Sequence, residues 1–468
     1  METGGWDNGV VKRSSAFVLL VLACAIPCVA STRHYYIAAE DVTWDYAPSG
    51  QDLLHGTPIP LPWRDKTSWS KTRFIEYTDP TFTVRKTQPL WLGILGPIIR
   101  AEVGDAILVD FLNRSRAEHN IHPHGLRYDK NNEGGYYLPI GEAGSHVAPG
   151  GRFTYHWFAD KGSGPGPGQL TSVVWWYHPH IEEETETNAG LLGPIVITAK
   201  GHARADGSPS DVDREFVASF MIFKQLGLRD AGMFYAINGY VFGNLPGLMM
   251  KKGEKVRWYL LGMGDEQDIH TPHWHGKTVT DGRRNTDVIE LLPASMVAVD
   301  MVADNPGTWM FHCQVSDHME AGMTAVYMIY SPPARQCPVQ LGKADFWSSG
   351  EKNSLTIKNV SGKNIKSIGL TFEHLFSPQY LLRPFDSSWS SPKALAAGQE
   401  EVLERPAYPA ASTQGIMGWV LFPMVVRYED GTQWRPQQEG ECFQIYWRDQ
   451  EHPEIPALPP LQMEIKED

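Results

Sequence analysis

Residues 309–323 of the 468-residue chain read WMFHCQVSDHMEAGM. An apolar run typical of a buried strand leads into Cys313, and His318 and Met323 follow at regular intervals. A thiolate, an imidazole and a weak thioether in this order suit a copper ion that changes oxidation state with little rearrangement. The pattern therefore predicts a mononuclear copper site, with His270 on an earlier strand as the candidate for the second imidazole.

Nine of the 17 histidines fall in short clusters. When His-X-His alternates on a strand, both rings point to the same face, so one strand can reach two neighbouring metal ions. Besides His270 and His318, the clusters predict these further metal ligands: His122, His124, His178, His180, His273, His275 and His312.

Two regions of the chain repeat one arrangement. Each has a Gly-Asp or Gly-Glu turn before a strand, then a His-X-His-Gly segment, then a second histidine cluster before an apolar strand. Both are dense in β-forming residues, with glycine or proline turns at short intervals. We therefore predict an all-β protein in which residues 35–200 and 211–335 form two duplicated domains.

A third region, residues 340–468, also has the alternation of a β-sandwich and is a candidate for an immunoglobulin-like fold. It contains only two histidines, so a stabilising or docking role is favoured over catalysis. Cys337 and Cys442 flank most of this region and could form a disulfide bond. If they pair, Cys313 is the odd thiol, which agrees with its predicted role as a metal ligand.

The composition excludes several classes of protein. Aromatic residues make up 11% of the chain, which is too many for a disordered protein, and the formal net charge of −13 argues against a nucleic-acid partner. Lys12 and Arg13 precede an apolar run over residues 16–30, which predicts a signal peptide at residues 1–30 and a secreted or periplasmic protein. Lipid attachment at Cys24 is the alternative. No later apolar run reaches the roughly 18 residues of a membrane span.

Five segments together carry a resemblance to a known family. From about Tyr35 to Tyr330 the chain resembles the multicopper oxidases, above all the ceruloplasmin and hephaestin branch and the two-domain laccases. The segments are IHPHGLRYDKNNEG, WYHPHIEEETETNAGLLGPIVI, AINGYVFGNLPGL, YLLGMGDEQDIHTPHWHG and the opening stretch.

The resemblance implies two cupredoxin-like Greek-key β-barrels and an oxidase that passes electrons from a small reductant to dioxygen. It implies a type 1 copper at His270, Cys313, His318 and Met323, with His312 linking Cys313 to a trinuclear cluster. The cluster would take His122 and His273 for its type 2 copper and His124, His178, His180, His275 and His312 for its type 3 pair. Four coppers per chain would fill a complete set. Two-domain members are homotrimers, so the clusters are expected at subunit interfaces.

One position departs from the family pattern. Gln314 stands where the family has a histidine, so the chain keeps seven of the eight expected cluster histidines. We interpret the site as a retained, asymmetric cluster. The alternative is a type 1 copper electron-transfer or copper-binding protein whose cluster is disabled by Gln314. A copper nitrite reductase is disfavoured, because that family carries its blue-copper ligands in the first domain.

The reductant is the least defined part of the prediction. Asp317 matches an acidic residue that ferroxidases use near the type 1 copper, but it could equally orient His318. Asp230 lies near a second such acid, whereas Tyr235 stands where the family has an iron-binding histidine. Oxidation of phenols or amines and oxidation of ferrous or manganous ions therefore both remain open.

Two surface features are also predicted. The acidic run at residues 182–184 is expected to be a solvated face. Asn113-Arg114-Ser115 and Asn359-Val360-Ser361 match the N-glycosylation pattern, which applies only in a eukaryotic secretory pathway.

Overall fold

The computed structural model of the chain describes residues 1, 31–135, 137, 143–225, 232–330, 337–346, 352–376, 381–390, 394–406, 416–436, 442 and 444–447. The predicted signal peptide, Cys24 and Asp230 lie outside these residues. Among the residues described, no helix is both long enough and apolar enough to cross a membrane. Strands dominate throughout, which confirms the all-β prediction.

The first domain consists of two packed sheets. Their strand orders are β4-β1-β6-β8 and β5-β10-β9-β7. In β6 the side chains of Ile107, Val109 and Phe111 are buried between the sheets, because alternate residues of a strand face opposite sides. The elements are β1 (Thr32–Asp45), β2 (Gln51–Asp52), β3 (Thr57–Pro58), β4 (Ser68–Tyr77), β5 (Ile99–Glu102), β6 (Ala106–Asn113), β7 (His122–Pro123), β8 (Arg152–Phe158), β9 (Ser172–His178), α1 (Glu183–Ala189) and β10 (Gly193–Thr198).

The second domain repeats this arrangement, with sheets ordered β12-β11-β14-β18-β16-β17 and β13-β20-β19-β15. Phe220, Trp258 and Phe311 lie in the apolar core between them. Its elements are β11 (Arg214–Lys224), β12 (Met233–Ile237), β13 (Met249–Lys251), β14 (Lys255–Gly262), β15 (Pro272–Trp274), β16 (Val279–Thr280), β17 (Asn285–Thr286), β18 (Met296–Val302), β19 (Gly307–Cys313), α2 (Ser316–Glu320) and β20 (Thr324–Tyr330).

The first two domains share one continuous apolar layer. Trp176 of β9 packs with Tyr259 and Leu261 of β14, and its indole Nε1 donates a hydrogen bond to the carbonyl oxygen of Gly262 at 3.1 Å. Burial of large aromatic and aliphatic side chains on both sides stabilises this interface by removing apolar surface from water. The relative position of the two domains is therefore fixed by the same kind of packing as a domain core.

A buried ion-pair network crosses the same interface. The fully buried guanidinium of Arg257 donates to both carboxylate oxygens of Asp300, at 2.7 and 2.9 Å. It also donates to the hydroxyl of Ser172 in the first domain at 2.7 Å, and it pairs with Asp211 at 3.0 Å. Because a buried charge is costly unless it is paired, this set of partners accounts for an arginine in the interior.

The third domain is a two-sheet sandwich. Sheet β21-β22-β25 faces a sheet in which β24-β23-β26 is extended by β27 and β28, both paired with β26. This strand order resembles that of immunoglobulin-like domains. Cys337 and Cys442 form a disulfide bond, with 5.6 Å between their Cα atoms. The strands are β21 (Val339–Asp345), β22 (Lys352–Asn359), β23 (Ile365–Phe376), β24 (Leu381–Ser390), β25 (Glu400–Pro406), β26 (Ile416–Tyr428), β27 (Gln433–Trp434) and β28 (Gln444–Trp447).

The first and third domains contain the same buried loop closure. Asn113 ends β6, Asn359 ends β22, and both side chains are fully buried. In each, Nδ2 donates to two main-chain carbonyl oxygens, while Oδ1 accepts hydrogen bonds from the amide and hydroxyl of the serine two residues later. The carbonyl oxygens belong to Ala117 and Val147 in the first domain and to Lys363 and Leu395 in the third.

Candidate metal centre

Three donor atoms converge inside the second domain. The Nδ1 atoms of His270 and His318 lie 3.1 Å apart, and Cys313 Sγ lies 3.9 and 3.7 Å from them. Met323 is fully buried in the same apolar cluster as Cys313, whose amide donates to the carbonyl oxygen of Met323 at 3.1 Å. The structure therefore brings together three of the four predicted ligands, His270, Cys313 and His318, and places Met323 in the same apolar cluster as Cys313. A thiolate, two imidazoles and a nearby thioether are the donor set that copper prefers.

The chain fixes these donors through neighbouring groups. Asp268 is buried, and its Oδ1 lies 3.1 Å from His270 Nε2, so that nitrogen carries the proton and Nδ1 presents its lone pair. The amide of Thr271 donates to Cys313 Sγ at 3.4 Å. Burial opposes ionisation of the thiol, but hydrogen bonds with His270, His318 and the Thr271 amide outweigh it and lower the pKa of Cys313 to about 6. The site thus favours the thiolate that a metal requires.

A second set of donors lies on the other side of Cys313. His312 is next to it in the chain, and β15 pairs with β19 so that His273 lies opposite His312. The Nε2 atoms of His275 and His312 are 3.0 Å apart, and the Nδ1 of His312 donates to the carbonyl oxygen of Cys313 at 2.8 Å. Because Nδ1 of His312 carries the proton of this hydrogen bond, its Nε2 keeps a lone pair that can bind a metal ion. His273, His275 and His312 form one metal-capable group.

The first domain holds a matching set of four histidines. His122 of β7 lies opposite His178 of β9, and the Nε2 atoms of His124 and His178 are 2.9 Å apart. His178 Nδ1 donates a hydrogen bond to the carbonyl oxygen of Pro179 at 3.0 Å, and His122 Nδ1 donates one to the carbonyl oxygen of Glu133 at 2.7 Å. The rings of His122 and His180 are also in contact, with 4.7 Å between their centroids.

The rings of His124 and His178 are neutral at ordinary pH. Burial, reinforced by the neighbouring histidines, lowers the pKa of His124 to about 4 and that of His178 to about 3. Burial also lowers the pKa of His275 and His312 in the second domain. Neutral imidazoles with converging lone pairs are the protonation state that metal coordination needs.

The two histidine sets do not meet within the chain. Among the described residues, every contact between two histidine rings lies within one domain, and so does every metal-capable group. The set in the second domain borders an open cavity lined by His273, His275 and Trp309. Each domain therefore presents its own set of donor atoms.

Gln314 contacts the second-domain set directly. Its Oε1 accepts a hydrogen bond from His273 Nδ1 at 2.7 Å, and its amide donates to the carbonyl oxygen of Thr271 at 2.9 Å. The glutamine thus orients the His273 ring, whose Nε2 lies 3.6 Å from Oδ2 of Asp287. The family resemblance identified Gln314 as a missing ligand but did not predict this contact.

Two acidic positions lie beside the proposed ligands. Residues 182–184 are exposed, as predicted, and the carboxylate of Glu183 also lies 3.7 Å from Nδ1 of both His178 and His180, where it can complete a metal-capable group. Asp317 is exposed in α2, and within the described part of the chain its carboxylate makes no hydrogen bond to His318. The ring of His318 instead contacts Tyr235, with 5.1 Å between centroids.

Comparison with known proteins agrees with this geometry. Two multicopper oxidase family models match residues 76–202 and 222–333. The chain is 33% identical to rat (Rattus norvegicus) hephaestin over 69% of its own length, 35% identical to Homo sapiens Ferroxidase HEPHL1 over 64%, and 33% identical to Homo sapiens ceruloplasmin over 66%. It covers 32%, 29% and 33% of those proteins, about a third of their length.

Solved structures of similar proteins include a multicopper oxidase, which is 22% identical with a TM-score of 0.46 over 64% of this chain and 89% of that one. The blue copper oxidase from Nitrosomonas europaea is 20% identical with a TM-score of 0.46, over 64% of this chain and 86% of that one. The two family matches together with the hephaestin relationship establish that the chain belongs to the multicopper oxidase family, whose cofactor is copper.

Proposed function

We propose that this protein is an exported copper oxidase that takes single electrons from a reducing substrate and uses four of them to reduce dioxygen to water. The observation that carries the proposal is the adjacency of two donor sets. Cys313 faces His270 and His318, and the next residue back, His312, faces His275. Bound copper would supply the one-electron chemistry at both places, and the covalent bond between residues 312 and 313 is the short connection between them.

The proposed ligands divide into two sites. His270, Cys313, His318 and Met323 would hold the type 1 copper. The trinuclear cluster would use His122 and His273 for the type 2 copper and His124, His178, His180, His275 and His312 for the type 3 pair. The protein's own contribution is to hold these rings in one tautomer, through Asp268 and the carbonyl oxygens that accept from their other nitrogens.

Electrons are proposed to enter at His318. It is 8% exposed, whereas His270, Cys313 and Met323 are fully buried. Tyr235 beside it offers an aromatic face to a phenol or amine, and exposed Asp317 in α2 offers a carboxylate to a ferrous or manganous ion. Oxygen uptake measured in parallel with ferrous ions, manganous ions and phenols distinguishes these substrates. Asp317→Asn is expected to weaken use of the metal ions alone, and Tyr235→Ala use of the phenols alone.

The cluster is proposed to form between copies of the chain in a homotrimer. The exposed ring of His275 and the separation of the two histidine sets support an interface in which one copy's first domain meets the next copy's second domain. Such a head-to-tail contact closes as a ring. Light scattering of the copper-loaded protein should therefore give three times the chain mass.

Subunit complementation tests the shared site directly. One variant would carry His124→Ala and His178→Ala, and the other would carry His275→Ala and His312→Ala. Neither alone should reduce oxygen, but random assembly of equal amounts leaves about a quarter of the interface sites intact. Activity restored on coexpression supports a site built from two copies. Two active single variants, or no recovery in mixed trimers, contradict it.

Gln314 favours one alternative, a protein that carries only the type 1 copper and transfers electrons without reducing oxygen. Its amide oxygen is already bonded to His273, so it adds no imidazole nitrogen to the cluster. Metal analysis with an optical spectrum separates the two. About four coppers per chain, a blue band and a near-ultraviolet shoulder are expected of the oxidase, whereas one copper and no oxygen uptake would identify the alternative.

A further inference from the structure

The first domain has backbone positions that correspond to those of the proposed type 1 copper ligands in the second domain. Hydrogen bonds that recur in both domains identify these positions. His119 and Val147 exchange two main-chain hydrogen bonds, as His270 and Leu291 do. His119 therefore occupies the position of the type 1 ligand His270, three residues before the His-X-His pair in both domains.

The other ligand positions correspond in the same way. The amide of Leu191 donates to the carbonyl oxygen of Glu186 at 3.1 Å, just as the amide of Met323 donates to that of His318 at 2.9 Å. Leu191 and Met323 are both fully buried. Glu186 thus stands at the position of His318, and Leu191 at that of Met323.

The cysteine position is located by its neighbour. His178 and His312 each donate from Nδ1 to the carbonyl oxygen of the following residue, which is Pro179 in one domain and Cys313 in the other. Of the four type 1 ligands only the first histidine remains in the first domain. The residue that would orient this histidine also differs. Ala117 stands two residues before His119, whereas Asp268, which contacts the ring of His270, stands two residues before that histidine. Accordingly, the buried Nε2 of His119 has no hydrogen-bond partner within the described part of the chain.

A direct hydrogen bond between two side chains occupies the place between these positions. His119 Nδ1 lies 2.6 Å from Glu186 Oε1, and both side chains are about 95% buried. The other carboxylate oxygen of Glu186 accepts hydrogen bonds from the amides of Ile181 and Glu182, at 3.1 and 2.9 Å. One carboxylate therefore ties the segment just after His180 to the segment just before His122.

We propose that Glu186, through His119, is a positioning residue that assembles the four first-domain histidines without a metal. In the second domain the corresponding rings of His270 and His318 face each other with 3.1 Å between their Nδ1 atoms, so a bound ion would join these two side chains. In the first domain the carboxylate supplies that connection in the folded chain itself. The half-site formed by His122, His124, His178 and His180 is accordingly ordered before copper arrives.

The first test uses Glu186→Leu, with Glu186→Gln as the conservative variant and Glu184→Ala as the control, because Glu184 is exposed on the same helix. Hydrogen exchange of the metal-free protein is the primary readout. Glu186→Leu should remove protection of the Ile181 and Glu182 amides, whereas the glutamine, which keeps an acceptor oxygen, and the control should retain it. Unchanged protection in Glu186→Leu overturns the proposal.

Spectroscopy of the copper-loaded protein gives a second readout, and this one rests on the proposed function. Glu186→Leu should weaken binding of the cluster coppers about 10- to 100-fold and leave the blue band of the second domain at full intensity. Equal loss of the blue band would indicate general unfolding and contradict a positioning role. A parent protein that binds no copper would refute the proposed function, while hydrogen exchange would still decide this inference.

The correspondence of the two sites is tested by restoring the ligands. The triple variant Pro179→Cys, Glu186→His and Leu191→Met should acquire a second blue site and raise the blue absorbance per chain about twofold. A folded triple variant with unchanged absorbance and copper content would show that the two positions are not equivalent.

Discussion

Gln314 and His273 form a hydrogen-bonded pair, with 2.7 Å between Oε1 of the glutamine and Nδ1 of the histidine. The glutamine that replaces a family histidine is therefore a ring-orienting group. Replacing it with leucine should free the His273 ring and weaken binding of the proposed type 2 copper about 10- to 100-fold, because the groups that orient a metal ligand contribute that much to affinity.

Electron paramagnetic resonance measures this loss, and the blue band serves as the internal reference. Gln314→Glu keeps an acceptor oxygen and should retain the type 2 signal. Gln314→His should leave the blue band unchanged and alter the rate of oxygen reduction. A leucine variant with a full type 2 signal would contradict the orienting role.

Asp268 should matter for both folding and the type 1 site. Its buried carboxylate accepts from the amides of Ile222 and Asp265 as well as contacting His270 Nε2. Asp268→Ala leaves these donors without partners and should lower the free energy of unfolding by about 2–4 kcal/mol. It should also weaken copper binding at the blue site. Urea denaturation and a copper titration followed at the blue band check the two effects, and exposed Glu266→Gln in the same loop is the control.

Stability should depend on pH through Lys71. Burial lowers the pKa of this amine to about 7. Among the residues that the structure describes, its Nζ donates a hydrogen bond only to the carbonyl oxygen of Asn188, and it lies 5.5 Å from the ring centroids of Tyr46 and Phe223. Between about pH 7 and pH 10 the unfolded chain binds more protons than the folded one, so stability rises with pH.

The comparison with Lys71→Met isolates this contribution. The methionine variant should be the more stable protein at pH 7, and the wild type should recover about 2 kcal/mol relative to it between pH 7 and pH 9. Exposed Lys200→Met should show no such difference. Parallel stability curves for wild type and Lys71→Met would indicate that the amine is charged in the folded protein.

The interface between the first two domains should depend on Arg257. Arg257→Met leaves the buried carboxylate of Asp300 without its bidentate partner and should cost about 3–5 kcal/mol in unfolding free energy. Lys255, which is 42% exposed and pairs with the same carboxylate, gives the matched control, since Lys255→Met should cost less than about 1 kcal/mol. Equal effects of the two substitutions would mean that burial of the pair contributes nothing.

The identity of the candidate ligands follows from local spacing, because a strand sends alternate residues to one face. Their support does not follow from it. His119 and Glu186 are 67 residues apart, and the glutamate sits close to an acidic run that looks like solvated surface. Only the folding of α1 against the first histidine segment makes it a buried partner. Asp268 is equally inconspicuous in sequence, since a single carboxylate two residues before a histidine has no distinctive pattern.

The family pattern also cannot show whether a residue that replaces a ligand is simply a lost ligand or has a new role, as Gln314 illustrates. The sequence identifies which residue is absent, but the neighbour that the replacement contacts depends on the pairing of β15 with β19. The disulfide between Cys337 and Cys442 was suggested by their positions, and its formation depends on the third sandwich bringing two distant segments together.

The closed loops at Asn113 and Asn359 change the meaning of the two Asn-X-Ser triplets. Both hydrogens of each Nδ2 are used by main-chain carbonyl oxygens, so a sugar attached to either nitrogen would displace one of them and force apart a fully buried turn. The serine two residues later is explained by its two hydrogen bonds to the asparagine oxygen. In a host that glycosylates proteins, we therefore expect both asparagines of the folded protein to be unmodified. The two triplets recur because the same set of hydrogen bonds closes a loop in each β-domain.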